Sequence, residues 1–155
     1  MMTNKRIVYQ GDEGIARIVV PAPDYSGTME DLLIKVVPEN CRDSADIVED
    51  DAVESDRTFR NAWVTSKGKS TEVDLDKAKV IAIEKVREVR VPKFAELDVA
   101  YQRAVEEDDS DKQAAVVVKK QTARDATEDS QISGADSVAN LKTGMEAVIT
   151  EVNDL

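Results

Sequence analysis

The run DRTFRNAW (56–63) sets Arg57 and Arg60 on either side of Phe59 and ends on Trp63, the single tryptophan of the chain. Two guanidinium groups at this spacing could clamp the oxygens of a carboxylate or a phosphate. The plainer reading pairs them with local acids such as Asp56 while Phe59 and Trp63 pack inward. Trp63 is a candidate interface anchor, because tryptophan is enriched where binding energy concentrates. In a chain with one Trp and two Phe it is also the natural centre of a core. Two acidic clusters offer oxygen ligands, Glu49-Asp50-Asp51 and Asp108-Asp109-Asp111. A calcium loop needs ligands at alternating positions and a glycine at the sharp turn, which neither run supplies. Both read as solvated acidic loops. Arg87 and Arg90 lie one turn apart beside Glu84 and Glu88, as exposed helical ion pairs do.

Cys41 stands beside Arg42, which would lower a thiol pKa slightly. With no histidine in the chain, Cys-His and Ser-His nucleophile pairs are unavailable, as are the commonest general base and the commonest zinc ligand. The expectation is therefore no catalytic residue, no cofactor-binding residue and no metal ligand, and a protein that is not an enzyme. A lone cysteine forms no internal disulfide. The formal charge of −11 disfavours nucleic acid and anionic membranes and favours a basic partner or plain solubility. The opening MMTNKRIVYQGDEG has no apolar signal region, and no apolar run nears the roughly 20 residues of a membrane span. A cytoplasm-like compartment is expected.

Hydrophobic residues make up 41% of the chain and aromatic residues 4%, so the core must rest on Val, Ile, Leu and Ala around Trp63. RIVYQ-GDEG-IARIVV (6–20) reads as a β-hairpin about a Gly/Asp turn. Thr28 caps a short helix, TMEDLLIKVV, which Pro38 stops, with Leu32, Leu33 and Val36 facing the hairpin. Residues 39–56 read as an acidic loop with one short strand around Ile47, Val48 and Val53, and SKGKS (66–70) reads as a turn. From Asp74, the apolar stripe Leu75, Ala78, Ala82, Val86, Val89, Phe94, Leu97, Tyr101 and Val105 predicts a helix of about 34 residues, roughly 50 Å if straight. Pro92 interrupts it and predicts a kink or break near 88–92.

Ser110 and Gln113 form a capping box for a second helix, roughly 110–124. Its inner face is read as Ala114, Val117, Val118 and Gln121, antiparallel to the first. Residues 126–134 read as a linker. A third amphipathic helix follows, weakened at Gly144 by about 1 kcal/mol. The fold class is α+β: a small region with an N-terminal β-hairpin (1–70), a long helical hairpin (71–127) and a C-terminal amphipathic helix (134–155).

Residues 55–127 resemble a block of tailed-bacteriophage proteins from the tail and tail-fibre assembly region. The resemblance rests on SDRTFRNAW (55–63), the D-x-x-KA start of a helix with an R-x-x-R pair (Asp74 to Arg90), LD-x-x-x-x-RA-x-E (Leu97 to Glu106) and KKQ-x-x-RD (Lys119 to Asp125). Some relatives carry proline where Ser55 stands. The resemblance implies a virion structural protein or an assembly chaperone, without enzymatic activity or cofactor. Its partners would be tail, fibre or neighbouring virion proteins, or further copies of itself. Its place would be the virion, or the host cytoplasm during assembly. The alternative is an acidic phage-encoded protein that binds and modulates a host protein, on the strength of the charge. The expected docking residues are Phe59 and Trp63, together with the C-terminal stripe Val138, Leu141, Met145, Val148 and Ile149. That stripe either covers a partner or folds back on the hairpin.

Overall fold

The computed structural model describes residues 4–68 and 70–155. Residues 1–3, part of the segment read for a signal sequence, and Lys69, in the expected 66–70 turn, lie outside the described residues. The chain divides into two compact units at Lys77/Ala78. The fold class is α+β, as expected: the strands lie in the N-terminal unit with a short helix, and the long helices make up the C-terminal unit.

In the N-terminal unit, β1 (Lys5–Gln10) pairs antiparallel with β2 (Ala16–Val19), with Ile7 opposite Val19 and Gln10 opposite Ala16. The connection is the predicted Gly/Asp turn, where Gly14 takes the left-handed φ of 75° that an L side chain rarely adopts. On its other edge β1 pairs antiparallel with β3 (Asp46–Glu49), which gives the order β2-β1-β3. Ile7 and Val8 point to opposite faces of β1, and both are buried, so the sheet is covered on both sides. One cover is α1 (Met29–Val36): Ile7 clusters with Met29, Leu32, Val37, Cys41 and Ala45.

Thr28 caps α1 as expected, accepting a hydrogen bond from the Asp31 amide. Arg42 closes the other end, donating to the carbonyls of Ile34 and Val37 at 2.6 and 3.2 Å. Leu32 faces inward, but Val36 is 39% exposed and Val37, just past the helix, is buried in its place. The turn that Pro38 imposes after the helix re-aims the chain by one residue. The segment read as an acidic loop is more ordered than expected. A 3-10 helix at Glu39–Ser44 places Cys41 in the core, and a second 3-10 turn spans Asp50–Ala52.

The C-terminal unit is helical. The helix α2 (Leu75–Glu106) runs unbroken through Pro92, so of the expected kink or break the break does not form. Pro92 and Glu88 both face solvent, so water can satisfy the Glu88 carbonyl that the proline leaves without a donor. Replacing Pro92 with alanine restores that bond and improves helix propensity; we expect a gain of about 1–3 kcal/mol in urea unfolding with the fold unchanged. A loss of stability would show that the ring itself is needed.

The hairpin closes at Asp108, which adopts a φ of 54°, a conformation that a short polar side chain tolerates. The N-cap of α3 (Ser110–Asp125) is Asp109, not the predicted Ser110. Its carboxylate accepts from the Lys112 amide, and that bond, with the Lys112 ammonium behind it, holds the acid below its ordinary pKa. Gln113 is thereby released from the expected capping box and donates to the Ala104 carbonyl at 3.2 Å. The two helices lie antiparallel. Lys120 pairs with Asp98 at 2.7 Å and covers the Tyr101 ring, while Arg90 reaches the Arg124 carbonyl and the Thr127 hydroxyl.

The inner face of α3 differs from the prediction. Val116 and Ala123 are buried with the stems of Gln113 and Lys120 beside them, while Ala114, Val117 and Val118 face solvent. Nor is 126–134 a free linker. It forms a 3-10 turn (Ala126–Glu128) and a short helix α4 (Ser130–Ser133), with Ile132 wholly buried. Helix α5 (Val138–Asn153), capped by Ser137, buries Leu141, Met145, Val148 and Val152.

Gly144 is buried on α5, and a Cβ there would lie 2.5 Å from the backbone oxygen of Gln131. The glycine allows α4 and α5 to approach closely. Gly144→Ala gains about 1 kcal/mol of helix propensity but overpacks against backbone, at a cost of about 1–3 kcal/mol. A lowered melting temperature is expected, and a raised one would show that α4 gives way freely.

Candidate functional site

The arginine-tryptophan corner of the N-terminal unit is assembled from short pieces. Asp56 caps a 3-10 segment, Arg57–Ala62, by accepting from the Thr58 amide at 2.9 Å. The segment bends at Phe59 (φ −114°, ψ 42°), which turns that ring into the core. The chain then extends as β4 (Trp63–Val64), paired antiparallel with β5 (Glu72–Val73) so that Trp63 lies opposite Val73. Next along, the Thr65 amide donates to the Gln10 side chain at 2.9 Å and fixes the corner to β1.

Trp63 is 0% exposed and is the largest fully buried side chain among the described residues. The Arg60 guanidinium lies over its ring, 4.4 Å from the centroid. The expected pairing of Arg57 and Arg60 with local acids is not found among the described residues, where neither arginine forms an ion pair. Three buried polar atoms of the corner have no hydrogen-bond partner among the described residues: Arg60 Nη1, Trp63 Nε1 and Thr65 Oγ1. Burial, followed by the like charges of Arg57 and Arg17, draws the Arg60 guanidinium below the ordinary arginine pKa. Arg17 itself is neutralised by Glu13, with both carboxylate oxygens 2.7 Å from Nη2.

Glu49, Asp50 and Asp109 of the acidic clusters are taken up by structural bonds. Glu49 and Asp50 pair with Lys5 and Arg6 on β1, at 3.9 and 2.9 Å. Asp109 caps α3, and Lys112 joins it to Glu107. A cavity lined by Asn4, Glu49, Asp50, Asp51, Val53 and Ser55 opens beside the first cluster. Among the described residues no group of three or more acids and cysteine is placed to hold a metal ion. Cys41 is buried, its thiol 3.6 Å from Asp12 Oδ1. Burial first, and then the Asp12 charge, push that thiol up, the reverse of the lowering expected from Arg42. Among the described residues no helix is long and apolar enough to cross a membrane.

The expected docking residues are drawn inward. Phe59, Trp63, Leu141, Met145 and Val148 are buried, and Val138 and Ile149 are partly covered. Phe59 and Trp63 belong to the N-terminal unit, and the α5 stripe lines the interior of the C-terminal unit. Sequence reasoning missed Thr65 and Gln10, whose types carry no signal for this contact. It also missed the Arg60–Trp63 stack, which the three-residue spacing permitted. No protein-family model matches the chain, and no curated protein or solved structure matches it either.

Proposed function

We propose that the protein is a non-enzymatic bacteriophage virion component or tail and tail-fibre assembly protein that acts by docking to phage structural proteins. The observation that carries this reading is the surface of the helical hairpin. Val91, Val99, Val105, Val117 and Val118 are between 48% and 67% exposed on α2 and α3, at positions where a helix facing only water carries polar residues. The block resembling phage tail-region proteins, residues 55–127, includes this hairpin. The docking surface is therefore assigned to the outer valines of the hairpin, and the α5 stripe is left to the core.

The test combines virion purification with a surface variant. Wild-type protein should copurify with particles at a fixed copy number if it is structural, or with unassembled fibre protein if it is a chaperone. Replacing Val91 and Val118 with glutamate changes exposed positions only, so stability should stay within about 0.5 kcal/mol per site. Copurification should be lost in this variant. Recovery of a host protein with a basic surface, and of no phage structural protein, would instead favour the host-directed alternative that the charge of −11 suggests.

A further inference from the structure

Arg60 carries a charge that the fold takes partly out of solvent without supplying an acceptor. Among the described residues its buried Nη1 has no partner, and the guanidinium lies over an indole whose own buried N–H has none either. Arginine and tryptophan side chains offer donors only. Leaving a buried donor unpaired is costly, more so for a charged one, and native proteins reserve such groups for a reason. Arg57, exposed on the same 3-10 segment three residues before Arg60, adds a second guanidinium to this part of the chain.

We propose that the Arg57–Arg60 corner, backed by Trp63 and Thr65, is a binding site for a single oxyanion, a carboxylate or a phosphate group. The argument is one of donor count and shape. A planar guanidinium presents a rigid fork that fits two oxygens of a carboxylate or phosphate. The cation–π contact with Trp63, 4.4 Å from the ring centre, holds that fork in place. An oxyanion brings acceptors to the Arg60 and Trp63 donors, which have none among the described residues. The net charge of −11 repels long polyanions such as nucleic acid, so the ligand is a small oxyanion or one acidic side chain of a protein partner. The site stands independently of the hairpin surface and of the docking function.

Trp63 is the only tryptophan, so it reports the site without labelling chemistry. The full chain is titrated with inorganic phosphate, with acetate and with a short glutamate-containing peptide. Sodium chloride at matched ionic strength is the control. The indole N–H resonance and the tryptophan fluorescence are followed. At least one oxyanion should give a saturable change that chloride does not. Arg57→Gln, at an exposed position, should weaken binding by about tenfold, as loss of one charge-assisted hydrogen bond does. Arg60→Lys keeps the charge, loses the fork and should weaken it at least as much. Saturation by phosphate alone identifies a free phosphate as the ligand, and saturation by acetate and the peptide identifies an acidic side chain. A response no different from chloride up to tens of millimolar overturns the site. So does a saturable response that Arg57→Gln leaves undiminished.

Discussion

Replacing Trp63 with alanine should unfold the N-terminal unit at ambient temperature or bring it to the edge of unfolding. The side chain is 0% exposed and is the largest of the fully buried groups among the described residues. Truncation of a buried tryptophan costs about 3–5 kcal/mol, against a whole-domain stability of about 5–15 kcal/mol. Two further supports go with the ring. The Arg60 guanidinium loses the surface it stacks on, and the short β4–β5 pair loses the side chain opposite Val73. A strand pair of two residues each has little to hold it apart from such contacts.

The companion variant Trp63→Phe separates packing from polarity. Trp63 Nε1 has no partner among the described residues, so phenylalanine gives up volume but no hydrogen bond to them. Its cost should be about 1–2 kcal/mol, clearly below that of alanine. Urea unfolding followed by far-ultraviolet circular dichroism measures both. An alanine variant with an unchanged midpoint would mean that the ring is not part of the core. A phenylalanine variant as damaged as alanine would mean that the indole N–H holds a structural bond, and the oxyanion site would then lose one of its donors.

The parts of this fold that were legible in the sequence are those set by local chemistry. Thr28 caps α1 because a hydroxyl at that position can take the orphan Asp31 amide, and Pro38 ends the helix because it cannot continue one. The hairpin is marked by a turn that needs Gly14 at positive φ. The misread parts are those set by tertiary contacts. The run Val116-Val117-Val118 puts valine on three sides of α3, so composition cannot fix its phase. The phase is chosen by partners on α2, through the Lys120–Asp98 pair and the bond from Gln113 to the Ala104 carbonyl. Residues 126–134 look like a linker because Thr, Glu, Asp, Ser and Gly dominate, yet two apolar residues, Ala126 and Ile132, are buried and tie the segment down. Pro92 signals a break that does not form, because its exposed side of α2 lets water take the freed carbonyl. At the candidate site, sequence supplied Arg57, Arg60 and Trp63 but paired the arginines with acids. Only the bend at Phe59 turns Arg60 onto the indole.

Removing residues 134–155 should destroy the cooperative folding of the C-terminal unit. The sequence left two fates for the stripe on this segment, a surface for a partner or a face of the core. Burial favours the second: Leu141 is 0% exposed, Val148 and Val152 1%, and Met145 4%. Full burial of such a side chain is worth about 1.5–3 kcal/mol, so the four together approach the stability of a small domain. Their loss also uncovers the Gly144 contact that holds α4, where Ile132 is anchored. What remains is a two-helix hairpin whose links include the ion pair of Lys120 with Asp98, the Gln113 bond and the reach of Arg90 to the end of α3. Exposed ion pairs of this kind contribute at most about 1 kcal/mol each, too little to order helices of this length without a packed face. The truncated chain should therefore lose most of its helical circular dichroism signal and its sharp thermal transition. The milder variant Leu141→Ala should lower stability by about 2–5 kcal/mol in the full chain. If the truncated protein instead keeps a cooperative transition and most of its helicity, α5 is a detachable arm. Its apolar stripe would then be free to cover a partner, and the docking surface would move from the outer valines of the hairpin to the C-terminal helix.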